Sequence, residues 1–133
     1  MTENTELVRA LIVPQEGKPY TTLVGRKTCA EYISAVVKGH FDCVRSEKAH
    51  AYVNDEGLLL GLPINAIATA YFGRIIAGNA IMFGSFSAKG EYDGEEHHID
   101  PEVLAVVSNL KSAYELWEDA SKVRSQVEDY YNR

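Results

Sequence analysis

The sequence predicts an α+β domain built on a small, mostly antiparallel sheet. Apolar, branched runs come in neighbouring pairs joined by turn formers, rather than alternating with helices as in a parallel α/β fold. Three segments open with helix-capping residues, at Thr28, Asn65 and Asp100. Hydrophobic residues make up 46% of 133 positions and recur throughout, enough for one core in a single domain, 1–133.

Leu7 to Val13 is a branched apolar run ended by Pro14, and it reads as a buried strand. The turn-rich stretch Pro14 to Pro19 leads into Tyr20 to Val24, a second strand beside the first. A packed helix is expected over about 28–38. Thr28 and Glu31 have capping-box spacing, Ala30, Ile33, Val36 and Val37 share a face, and Gly39 supplies the stop. His40 to Val44 and Ala49 to Val53 flank the polar Arg45 to Lys48 and predict an antiparallel hairpin. Asn54-Asp55-Glu56-Gly57 is a turn with Gly57 where positive φ is expected, and Leu58 to Leu60 follows as a short extended piece. Asn65 is placed to cap a short helix at about 66–71. Ile75 to Phe83 reads as a core strand bent at Gly78 and Asn79.

The core is expected over 7–85, a flexible loop over 85–99 and a C-terminal helix over 100–133. That helix starts at Asp100-Pro101-Glu102, with a cap, a first-turn proline and an acid on the dipole. Its stripe runs through Val103, Val106, Val107, Leu110, Ala113, Tyr114 and Trp117, then weakens where Arg124 replaces an apolar residue. A helix over about 101–130 is about 45 Å long at ~1.5 Å per residue, more than a domain of this size covers. Its second half is expected to project, fray or meet another subunit, which points to a homo-oligomer formed through this helix. Trp117, Tyr130 and Tyr131 are its candidate partner contacts.

Charge and composition exclude several function classes. Residues 1–90 carry nine Lys/Arg against eight Asp/Glu, and residues 91–133 carry four against eleven, for a net charge of −6. Nucleic-acid binding needs a basic footprint, so it is not expected. No apolar run reaches the roughly 20 residues of a membrane span, and Met1 to Glu6 is too polar for a secretory signal. A soluble protein of the cytoplasm is expected, with Cys29 and Cys43 as reduced core thiols.

Few residues carry recognisable chemistry, so no catalytic residue, metal or cofactor is expected. His97-His98 beside Glu95, Glu96 and Asp100 is the one cluster of metal-ligand types, and a solvated loop is the preferred reading. His40 and Cys43 fall on opposite faces of their strand, so no nucleophile–base pair forms there; His40 and His50 read as edge histidines. The glycines match no phosphate cradle. Polar residues embedded in the most apolar stretch are the candidate ligand contacts: Arg74 first, as a lone cation among apolar neighbours, then Asn54, Asn65 and Asn79. Turn, cap and bulge roles are the preferred readings of the three asparagines.

Three segments carry a family resemblance. They are Val13 to Tyr20, Val37 to Asp42, and Val53 to Thr69, completed by Ile76 to Gly84. In this order they resemble the domain-of-unknown-function family number 3846, common in bacteriophages and mobile elements, notably those of actinobacteria. The resemblance covers about residues 7–85 and leaves the C-terminal helix as an addition. A basic residue often follows the Asn of the family's Gly-Leu-Pro-x-Asn segment, whereas Ala66 stands here. The resemblance implies a phage or mobile-element accessory protein in a bacterial cytoplasm, and it implies no reaction. The expected function is therefore non-enzymatic binding and modulation of a host macromolecule, a host protein first. The alternative is binding or sequestering a small anionic, nucleotide-like ligand.

Overall fold

The computed structural model describes residues 7–85 and 96–110. The elements are β1 (Leu7–Val13), β2 (Tyr20–Gly25), α1 (Cys29–Val37), β3 (Phe41–Arg45), β4 (Ala49–Asn54), α2 (Ala66–Phe72) and β5 (Ala80–Gly84). A helix from residue 101, α3, is described through 110. The fold is α+β: the strands form one sheet in the order β2-β1-β5-β4-β3, with every neighbouring pair antiparallel. The expected helix beyond residue 110, with Trp117, Tyr130 and Tyr131, lies outside the described residues.

The last strand in sequence, β5, occupies the centre because all five of its residues are buried. Ile81 and Phe83 point to one face, with Val8, Ala10, Ile12 and Val24, and α1 covers them through Cys29 and Ile33. Ala80 and Met82 point to the other, with Leu11, Val13, Ala51 and Val53, beneath α2 and the Val103 and Val107 stripe of α3. The alternation of strand side chains thus divides the core into two layers, one on each side of the sheet. Val106, expected in the α3 stripe, is exposed instead, because Val103 and Val107 four residues apart define the contact line and Val106 falls on its flank.

Several local expectations are corrected by the backbone. Thr28 makes no capping hydrogen bond to α1: residues Arg26–Thr28 already wind as a 3-10 turn, so Thr28 lacks the extended conformation that lets a hydroxyl reach back. The left-handed residue ending α1 is Lys38 at φ 64°, one position before the expected Gly39. Leu58 to Leu60 is not extended but wound into turns, with the Leu60 amide donating to Glu56 O at 2.8 Å. Gly57 needs no positive φ; it is required because a Cβ there would stand 2.7 Å from the Ala77 carbonyl oxygen. The stretch read as strand from Ile75 begins pairing in the sheet only at Ala80, after a bend at Gly78 (φ 89°).

The end of the expected loop, residues 97–99, is hydrogen-bonded to the sheet. β1 pairs with β5 only at Leu11 to Val13. Below that point residues 97–99 fill the space between the two strands. His97 O accepts from the Gly84 amide at 2.8 Å, and the Ile99 amide donates to Arg9 O at 2.9 Å. His98 Nδ1 accepts from the Arg9 amide at 2.9 Å. The approach is so close that a Cβ on Gly84 would lie 2.3 Å from His98 O. Gly84→Ala is therefore expected to cost about 1–3 kcal/mol, the range for overpacking an interior site. Urea denaturation measures this directly, and an unchanged midpoint would show that 97–99 is displaced without loss.

Candidate functional site

Two assemblies draw together the polar residues of the described fold. The first is buried on the α1 side of β4. Strand alternation places His50, Tyr52 and Asn54 on that face, and His50, expected at an edge, is 1% exposed in a strand flanked on both sides. Its ring stacks on Phe83 with centroids 5.8 Å apart, and Tyr52 meets Phe83 and Phe41 edge-on. His50 Nδ1 lies 2.7 Å from Gly84 O and Nε2 lies 2.6 Å from Glu96 Oε1. Tyr52 donates its hydroxyl to Glu96 Oε2 at 2.6 Å, and Arg26 Nη2 donates to Glu96 O at 3.2 Å.

The carbonyl of Gly84 can only accept, so Nδ1 of His50 carries a hydrogen. The remaining ring nitrogen then faces a carboxylate oxygen, and a second proton must lie between them. His50 and Glu96 together therefore hold two protons on three heteroatoms, a neutral and fully bonded pair. Both Glu96 oxygens are occupied, which makes this assembly a clamp that ties residues 96–99 to β4. Cys29 and Cys43 stand in its surroundings. Burial pushes each thiol up to about 11, with the Glu96 carboxylate as the second cause. Both are free thiols held in the protonated, unreactive form.

The second assembly is a cleft of about 380 Å³ on the opposite layer, between the turn after β4 and the bend before β5. Arg74 and Asn54 line it, Asn54 from the end of β4 with its side chain turned to α1 on the other face. Asn65 and Asn79 do not line it, and all three asparagine side chains are engaged within the fold. Asn54 donates to Val37 O at 3.0 Å and accepts from the Glu56 amide. Asn79 donates to Val36 O and accepts from the Gln15 amide. Asn65 caps α2 through the Ala68 amide at 3.1 Å and donates to Val13 O and Gly78 O, both at 2.9 Å.

Arg74 shares the cleft with Asp42, Asp55 and Glu56, three carboxylates to one guanidinium. The rim is apolar and open to solvent. Leu58, Leu59 and Ile75 line the cleft, Leu60 and Ile64 are exposed nearby in the chain, and Leu59 is 88% exposed. The turn that presents the leucines is stiff. The Asn54 side chain holds the Glu56 amide, the Leu62 amide donates to Gly57 O at 3.0 Å, and Gly57 lies against Ala77.

The family model described as Domain of unknown function (DUF3846) matches residues 8–108. The chain belongs to that family. The DUF3846 match runs beyond the expected limit of 85, so it takes in the clamp residue Glu96, the inserted segment and α3 to residue 108. Both assemblies of this DUF3846 domain thus lie within the matched region. No curated protein and no solved structure matches the chain.

Sequence reasoning missed His50 with Glu96, and it missed the exposed leucines. The His50-x-Tyr52-x-Asn54 alternation signals a polar strand face, but nothing local names Glu96, 46 residues on, as the partner. Leu58-Leu59-Leu60 was legible as apolar; only the turn's geometry shows that it faces solvent. The His97–His98 segment serves the sheet, and no metal-ligand cluster is present among the described residues. Among the same residues no helix is long and apolar enough to cross a membrane.

Proposed function

We propose that this DUF3846 domain is a non-enzymatic binding module that docks a partner protein on the Leu58–Leu60 turn and its cleft. The observation that carries this reading is the exposure of Leu58, Leu59 and Ile75 together in the lining of one cleft. Exposing several large aliphatic side chains together is costly in water, and in a folded domain such a patch marks an interaction site. A turn already held by hydrogen bonds loses little entropy on docking, so more of the buried area is expressed as affinity. The setting is the one that the family resemblance implies, an accessory protein of a phage or mobile element that modulates a host protein in the bacterial cytoplasm. A small anionic ligand at Arg74 is the weaker reading, because Asp42, Asp55 and Glu56 surround the same cleft.

Capture from an actinobacterial lysate, quantified against a Leu59→Glu variant, tests the proposal. Leu59 is almost fully exposed, so the variant is expected to keep the fold while losing at least tenfold of the captured partner. Equal capture by both proteins would place any partner elsewhere.

A further inference from the structure

Building on that docking reading, we infer that the segment received by the cleft is basic and apolar, and that side chains rather than an added strand anchor it. The charge is the first argument. Asp42, Asp55 and Glu56 are all exposed at the cleft, Arg74 is the single opposing charge in its lining, and no ion pair joins Arg74 to them. A partner that brings lysines or arginines over these acids is favoured in encounter and in register, and an acidic partner is repelled.

The mode of binding follows from β3. This strand is a sheet edge, where a partner strand would ordinarily add. The Asp55 amide donates to His40 O and the Ser46 amide to Ala49 O, so the even-numbered residues of β3 pair inward with β4. The outward amide at the middle of the edge is that of Cys43, and Asp42 Oδ1 already accepts its hydrogen at 2.8 Å. The edge is therefore closed at its centre by the same carboxylate that contributes to the acidic cleft. Recognition falls to Leu58, Leu59 and Ile75 as apolar contacts, with the three acids setting the charge of the partner.

Two fluorescein-labelled peptides with the same apolar residues, one lysine-flanked and one glutamate-flanked, serve as probes in fluorescence anisotropy with the full chain. The lysine peptide is expected to bind at least tenfold more tightly. Asp42→Asn, Asp55→Asn and Glu56→Gln together keep one acceptor oxygen at each position, and they are expected to weaken that binding about tenfold, three exposed charges at about twofold each. Glu31→Gln with Glu47→Gln, two exposed acids outside the cleft, is the control and is expected to change nothing. Equal loss from both charge sets overturns the inference by showing attraction to the acidic chain as a whole. Tighter binding of the glutamate peptide, abolished by Leu59→Glu, overturns the charge while leaving the docking reading intact. Binding of either peptide that ignores Leu59→Glu overturns both.

Discussion

Glu96→Ala is expected to lower the unfolding free energy by about 3–5 kcal/mol, the range for breaking a buried pair by removing one partner. Glu96→Gln is expected to stay within about 1 kcal/mol of the parent, as a swap that keeps each hydrogen bond made. The contrast follows from the geometry of the clamp. Removing the carboxylate takes from the Tyr52 hydroxyl, packed on Phe41 and Phe83, and from one nitrogen of the buried His50, stacked on Phe83, the partner each holds at 2.6 Å. A glutamine amide restores both: its NH2 donates to Nε2 of a neutral His50, and its oxygen accepts from Tyr52. Urea denaturation at neutral pH separates the variants. If Gln proves as damaging as Ala, the clamp depends on charge and the shared-proton description is wrong.

Asn65→Ala is expected to cost about 3–5 kcal/mol, from one lost helix cap and two buried carbonyls left without a donor. Asn65 is 1% exposed, and its three hydrogen bonds join β1, the start of α2 and the bend before β5. No other residue type supplies one acceptor and two donors in so short a side chain. Asp keeps the cap yet points a second oxygen at Val13 O and Gly78 O, so Asn65→Asp is expected to destabilise at least as much as Asn65→Ala. Thermal and urea unfolding of both variants measure this. An Asp variant close to the parent would mean that the two carbonyls find donors elsewhere.

The parts of this fold that are legible in the sequence are those encoded by near neighbours. The β1–β2 and β3–β4 hairpins show as apolar runs around turn formers, and the Asn65 cap and the Asp100 start of α3 show as single residues in the right place. Helix α1 is legible from its apolar face, although the expected capping box does not form, because the 3-10 turn ahead of it changes the entry of the chain. What stays hidden depends on residues far apart. Residues 96–99 look like a polar loop because Glu96, His97 and His98 are hydrophilic, and only their distant partners His50, Gly84 and Arg9 fix them against the sheet. For the cleft, Arg74 stands out as an isolated cation. The acids around it come from β3 and the turn after β4, which no local pattern brings to it.

The insertion of residues 97–99 between β1 and β5 also sets the order in which the chain can finish folding. Arg9, near the beginning, receives its partner from His98, 89 positions later. The hairpins can close locally and early. The gap beside Arg9 stays open until almost the whole matched region has been synthesised, and its closure carries the entropy of a very long loop. On the ribosome, the N-terminal strand of this domain is therefore committed first and completed last.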